Sequence, residues 1–164
     1  MTIGQSSFGY TGEYIKPVVT VKVVINGKTV TLTNWKDYKV TYSNFKNPGV
    51  ATITVTARGI TSGSKSITFQ IRPAQVKKVA VSAKASNYIT LKWDKCVGVT
   101  GYEVYRATSK NGTYTKVGTV TTNTYKNSGL KRKTTYYYKV RAYKTVGSTK
   151  IYGNYSTVYA VATK

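Results

Sequence analysis

The chain has 164 residues and carries 26 Lys+Arg against 4 Asp+Glu, a formal charge of +22, with 16 Tyr, one Cys and no His. Without histidine and with Cys96 as the single thiol, an intrachain His/Cys metal site, an internal disulfide and the usual Ser-His-Asp or Cys-His nucleophile arrangements are all excluded. Hydrophobic residues make up 40% and are regularly spaced, enough apolar side chain to close a core despite the charge.

The first residues, MTIGQSSFGYTGEY, have neither the basic start nor the apolar stretch of a secretory signal. If the natural protein is exported, the expectation is therefore a mature fragment. No run approaches the ~18 consecutive apolar residues that a membrane-spanning helix needs. Period-two alternation follows in PVVTVKVVI (17–25), KTVTL (28–32), DYKVTYS (37–43), GVATITVTAR (49–58) and SKSITFQIR (64–72). Turn residues separate these runs: Asn26-Gly27, Asn47-Pro48-Gly49, Arg58-Gly59 and Ser62-Gly63. Asn-Gly between two strand-like runs predicts a type I′ hairpin, because both central residues need positive φ.

The alternation pauses at RPAQ (72–75), where Pro73 cannot donate to a sheet ladder. It resumes in KKVAVSA (77–83), YITLKWD (88–94), GYEVYRA (101–107), YTKVGTV (114–120), TTYYYKVRAY (134–143) and YSTVYAVAT (155–163). No run has helical spacing, leucines are confined to Leu32, Leu91 and Leu130, and branched and aromatic residues abound. The expected fold is all-β: two tandem sandwiches over residues 1–72 and 76–164, joined by a short linker at 73–75.

Residues 76–164 resemble a fibronectin type III domain. The resemblance rests on ITLKWD with Trp93, on GYEVYRATSKNGTYTKV, and on SGLKRKTTYYYKVRAY, in which Leu130 precedes Tyr136 by six positions. In that family this spacing marks the tyrosine corner, so the resemblance implies that Tyr136 is the corner residue. Residues 10–72 are similar to a bacterial immunoglobulin-like repeat. The matching positions are Tyr10-Thr11-Gly12, Asp37-Tyr38 with Val40, Tyr42 and Asn44, and Gly49 with Ala51, Ile53 and Val55. Both resemblances point to surface and secreted proteins of Gram-positive, clostridial-type bacteria. Two departures stand out. Trp35 and Phe45 replace the small or polar residues usual there, and Lys126 and Asn127 stand where an acid is common.

With Tyr136 at the corner, alternation sends Tyr136, Tyr138, Val140 and Ala142 inward and Tyr137, Lys139, Arg141 and Tyr143 outward. Lys131, Arg132 and Lys133 fall in the preceding turn. The third, sixth and seventh strands of a fibronectin sandwich share a sheet, so Glu103, Tyr105 and Tyr159 are expected to join that outward face. The candidate ligand or polyanion face is Tyr105, Lys131, Arg132, Lys133, Tyr137, Lys139, Arg141 and Tyr143. The plainer alternative is that exposed tyrosines only stabilise the sheet through cross-strand pairs. Trp35 and Phe45, on predicted turns, are candidate aromatic contacts for a sugar or protein, or else side chains folded back on the sandwich end. Trp93 alternates with Ile89 and Leu91 and is expected in the core.

The carboxylates are Glu13, Asp37, Asp94 and Glu103. Their positions offer no pair at glycosidase separation, and each suits a local partnership with lysine. Cys96, at the end of a predicted strand, lacks a histidine to activate it. ARGI (57–60) is not an Arg-Gly-Asp motif. No catalysis, cofactor or metal is expected. A charge of +22 attracts polyanions: teichoic acid or another anionic wall polymer, an acidic glycan such as a sulfated polysaccharide, or nucleic acid. The plainer alternative is that the charge serves only solubility in an acid-poor spacer. The expectation is a non-catalytic spacer and adhesion module of a secreted or cell-surface bacterial or phage protein. The alternatives are a basic nucleic-acid-binding protein and a protein–protein adhesin using exposed aromatics.

Overall fold

The alternating runs become strands in a computed structural model that describes residues 1–59 and 62–164. Ile60, the last residue of ARGI, lies outside the described residues. The chain divides into two units, Met1–Ile71 and Arg72–Lys164. No helix occurs among the described residues, and none is long and apolar enough to cross a membrane.

Unit 1 contains β1 (Thr2–Ile3), β2 (Ser7–Gly9), β3 (Val19–Thr20), β4 (Lys22–Ile25), β5 (Lys28–Thr31), β6 (Tyr38–Ser43) and β7 (Gly49–Ala57), and β8 (Ser64–Arg72) closes it. The strand expected over 17–25 is interrupted. Pro17 delays its start, and at Val21 the chain changes partner, with β3 pairing β1 and β4 pairing β5. Val21 is buried at this junction, and its carbonyl accepts a hydrogen bond from Leu32 N at 2.9 Å. The β4–β5 hairpin turns at Asn26 (φ 49°) and Gly27 (φ 76°), the two positive angles that Asn-Gly supplies.

The main sheet runs β2-β8-β7-β6. Along β7, Ala51, Ile53 and Val55 are buried while Thr52 and Thr54 are half-buried. Ala51, Ile53, Phe69 and Ile71 form one small core, with Phe8 edge-on to Phe69 at 5.4 Å. Val21, Tyr38 and Val55 form a second. An open cavity of about 540 Å³ lies beside it, lined by Val21, Val23, Ile25, Leu32, Tyr38 and Val55 among others.

Unit 2 contains β9 (Ala80–Lys84), β10 (Tyr88–Lys92), β11 (Gly101–Ala107), β12 (Thr115–Val120), β13 (Thr124–Ser128), β14 (Thr135–Val146), β15 (Thr149–Tyr152) and β16 (Tyr159–Ala162). A three-stranded sheet, β13-β10-β9, faces a five-stranded one, β12-β11-β14-β15 with β16 beside β14. One core fills the space between them, including Ile89, Leu91, Trp93, Tyr102, Val104, Tyr136, Tyr138 and Val140. Trp93 is 3% exposed and meets Tyr102 edge-on at 5.3 Å.

β13 and β15 are additional to the strands expected from the sequence. The inward row of β13 holds one tyrosine, Tyr125, and one amide, Asn127, so period two carries little apolar signal there. Asn127 is buried because its Oδ1 accepts from Tyr138 Oη at 2.9 Å and from Arg106 Nη1 at 3.1 Å. A buried phenol is thereby satisfied, and burial pushes the Tyr138 hydroxyl pKa well above its ordinary value. Tyr136 makes the corner: Lys131 N donates to Tyr136 Oη at 2.9 Å.

Candidate functional site

The outward face of the five-stranded sheet is assembled by register. β11 against β14 sets Glu103 opposite Arg141, Tyr105 opposite Lys139, Ala107 opposite Tyr137 and Gly101 opposite Tyr143. β15 adds Tyr152 opposite Tyr143. Tyr155, in the segment before β16, stacks edge-on to Tyr105 with centroids 5.2 Å apart.

Glu103, expected on the solvent side, is 1% exposed. Its neighbours close over it. Arg141 donates to Oε2 through Nη2 at 2.8 Å and Nε at 3.1 Å, and Tyr105 Oη donates to the same oxygen at 2.9 Å. Lys150 Nζ reaches Oε1 at 3.2 Å and Lys116 Nζ lies 3.7 Å away. Burial alone would raise the carboxyl pKa, but the hydrogen bonds from Arg141, Tyr105 and Lys150 outweigh it and hold it at about 2. Glu103 is therefore the anchor of this face rather than a surface charge.

The cations of the face are committed to aromatic rings. The Arg141 guanidinium lies 3.7 Å from the Tyr152 ring centre and 5.0 Å from that of Tyr155. Lys139 Nζ sits 4.4 Å from Tyr114 and 4.3 Å from Tyr155, and Lys150 Nζ 4.2 Å from Tyr143. Such contacts each contribute about 0.5–2 kcal/mol. Tyr143 points to this side but is buried, because its ring covers Gly101 on the opposing strand. A Cβ at position 101 would stand 2.9 Å from Tyr143 Oη and 2.6 Å from Val120 O. Tyr137 is half-buried between Ala107 and Ala160. Tyr159, also expected outside, packs against the core and accepts from Val81 N at 3.2 Å.

The turn residues Lys131, Arg132 and Lys133 differ from these. All three are exposed, and their side chains make no hydrogen bond or ion pair among the described residues. Tyr152, Tyr155, Tyr114, Lys116 and Lys150 complete the face and are additional to the sequence-derived candidates. The available signal was the spacing of Tyr152 and Tyr155 in TKIYGNY, but it becomes readable only once β15 is placed beside β14.

In unit 1, Trp35 is 63% exposed on the turn before β6, in the left-handed region at φ 71°. Its N–H donates to Tyr38 O at 2.7 Å, and the Arg58 guanidinium lies 5.3 Å from its ring centre. Phe45 is half-buried. It folds back against the core, with Tyr42 at 5.6 Å and Tyr14 at 5.0 Å. Tyr14 is itself exposed beneath Lys46 Nζ at 4.9 Å. Cys96 lies in the loop after β10 rather than at a strand end. It is buried, its N–H donates to Tyr102 Oη at 2.8 Å, and burial pushes its thiol pKa up.

Comparison with known proteins now bears on this arrangement. An Alpha-amylase of Niallia circulans is 33% identical over 100 residues, a match covering 53% of this chain and 7% of that protein's length. The two fibronectin type-III domain segment from chicken tenascin matches with a TM-score of 0.64 at 17% identity, covering 80% of this chain and 87% of that one. That likeness is one of fold. The family model described as Fibronectin type III domain matches residues 74–158, more than half of the chain, and the chain belongs to that family.

Proposed function

We propose that this chain is a non-catalytic spacer and adhesion module of a larger secreted or cell-surface protein, bacterial or phage, which associates with anionic wall polymer or acidic glycan through its basic surface. In this reading residues 1–72 are an immunoglobulin-like repeat of Gram-positive type, 73–75 a linker and 76–164 the fibronectin module. The observation that carries it is the charge: 26 cationic side chains against 4 carboxylates, one of which, Glu103, is buried and fully engaged. The surface field is thus almost wholly positive.

The small share of the amylase that this chain matches is consistent with an accessory module beside a catalytic domain. The test is sedimentation with purified Gram-positive cell walls at rising salt. Binding is expected at ~0.15 M and lost by ~0.5 M, where screening shortens the reach of surface charge. Binding that persists at the higher salt, or after teichoic acid is stripped, overturns the electrostatic reading. A second reading, a protein adhesin, is favoured by Trp35, an exposed indole on a left-handed turn. Loss of cell attachment in Trp35→Ala, with wall binding intact, would select it.

A further inference from the structure

The cations of unit 2 are of two kinds. Those on the sheet face are occupied: Arg141, Lys116 and Lys150 by Glu103, and Lys139 by the rings of Tyr114 and Tyr155. Most of those at one pole of the sandwich are not. Of Lys84, Lys110, Lys131, Arg132 and Lys133 there, Lys84 alone has a side-chain partner among the described residues, its Nζ donating to Ala162 O at 3.1 Å.

Register defines that pole. β9 ends there at Lys84, β13 ends at Ser128 opposite Tyr88, and β14 starts at Thr135 opposite Ala162. β11 ends there at Ala107 opposite Tyr137, leading into the turn that carries Lys110. The 131–133 turn joins β13 to β14 at the same place. Lys133 N donates to Lys164 O, and Lys164 N to Ala85 O, which ties this turn to the residue after Lys84. Lys84, Lys110, Lys131, Arg132 and Lys133 are all exposed.

Neither carboxylate of unit 2 compensates them. Glu103 is buried beneath the sheet face, and Asp94 lies past the far end of β10, paired with Lys78 at 3.5 Å. The turn is also held firmly. Leu130 N donates to Asn87 O at 3.0 Å, Lys131 N to Tyr136 Oη, and Thr163 Oγ1 to Lys131 O at 2.7 Å. Its three cations are thus presented on a fixed backbone, which lowers the ordering cost of binding. Lys133 sits at φ 49°, a left-handed angle that favours glycine or asparagine.

We infer that this pole is where unit 2 takes hold of a linear polyol-phosphate polymer of the cell wall, an assignment that rests on the proposed wall-binding function. Among the described residues the pole offers no open aromatic platform for bases: Tyr136 is buried, Tyr137 is half-buried between Ala107 and Ala160, and the Tyr88 and Tyr114 rings lie under Lys126 Nζ at 4.3 Å and Lys139 Nζ at 4.4 Å. Stacking on such a platform is how single-stranded nucleic acid is held. No helix or ribbon projects from it to enter a groove of duplex DNA.

The test measures binding of the whole chain to purified poly(glycerol phosphate) chains across a salt series. Lys131→Gln/Arg132→Gln/Lys133→Gln should weaken binding about 10-fold or more at ~0.15 M salt and reduce the log–log salt slope by about 2–3, one for each lost phosphate contact. Lys77→Gln/Lys92→Gln/Lys95→Gln removes the same charge at the opposite end and should cost under about 3-fold. Equal losses in the two variants overturn the pole but leave wall binding standing. A wild-type chain that does not bind the polymer at all overturns the function itself. Tighter binding to duplex DNA of equal charge overturns the choice of polymer. Lys133→Asn should raise the melting temperature and still weaken binding, and unchanged binding there counts against the proposal.

Discussion

Unit 1 and unit 2 share the same alternating grammar but use their aromatics and charges differently. Unit 1 leaves Trp35 and Tyr14 at 63% and 60% exposure and closes two small cores beside an open cavity. Unit 2 draws its tyrosines into one core and one covered sheet face, and that face is built on a buried carboxylate. Unit 1 has eight Lys+Arg and unit 2 eighteen, with two carboxylates each. The lesson is that charge content does not mark the ligand surface. Four of unit 2's eighteen cations, Arg141, Lys116, Lys150 and Lys139, are engaged in holding its own sheet face together. Each unit also holds one tryptophan, Trp35 or Trp93, so the two are separately observable by fluorescence.

The comparison breaks most sharply at Glu103. Glu103→Ala leaves Arg141, Lys116 and Lys150 crowded without their counter-charge, and loss of one partner from a buried ion pair costs about 3–5 kcal/mol. Urea unfolding followed through Trp93, in a Trp35→Phe background, should show that loss. The unit 1 transition, read through Trp35 in a Trp93→Phe background, should not move. A Trp93 midpoint that hardly changes would mean that the tyrosines, not the carboxylate, hold the face.

Acid provides a milder version of the same experiment. The Glu103 carboxyl sits at about 2 in the folded protein against an ordinary 4.5, so folding favours its ionised form. Its contribution is fully present above about pH 4.5 and is lost as the pH falls toward 2, a span worth roughly 3 kcal/mol. Unit 2 should lose stability across that window, and Glu103→Gln should flatten the decline.

Smaller again is the corner. Tyr136→Phe removes the acceptor for Lys131 N and strands that N–H near the sandwich end, with an expected cost of about 1–2 kcal/mol on the Trp93 transition. It also loosens the 131–133 turn, so polymer binding should weaken along with stability.

Particular residues show why some of this was legible in the sequence. Alternation is a local property, and it located β11 and β8 to the residue at both ends and the buried row Tyr136, Tyr138, Val140 and Ala142. The family resemblance carried by Leu130 and Tyr136 implied a tyrosine corner, and Lys131 N donates to Tyr136 Oη there. What failed depended on neighbours across strands. Alternation placed Glu103 on the correct side, but its burial comes from Tyr105 and Arg141 together with Tyr152 and Lys150 of β15, a strand whose four residues include only one buried apolar side chain. Tyr143 is covered because glycine stands opposite it, and Tyr159 turns inward because the register sets it opposite Tyr138 of the buried row. Side-chain cover is set by register, and register is a tertiary fact.

Trp35 provides the smallest and most discriminating comparison. At φ 71° a side chain with a Cβ is strained, and a left-handed position relaxes when glycine replaces it. Against that gain stands the contact with Arg58, exposed and worth about 0.5–1 kcal/mol. Trp35→Gly should therefore shift unit 1 stability by no more than about 1 kcal/mol in either direction, read by thermal melting followed with circular dichroism. Trp35→Ala keeps the Cβ strain and loses the ring, so it should be the less stable of the two. If both variants keep unit 1 folded and cell attachment falls in both, the indole is retained for a partner and not for the fold. If attachment is unchanged, adhesion belongs to the cations of unit 2, and the exposed aromatics of unit 1 are the incidental part of the comparison.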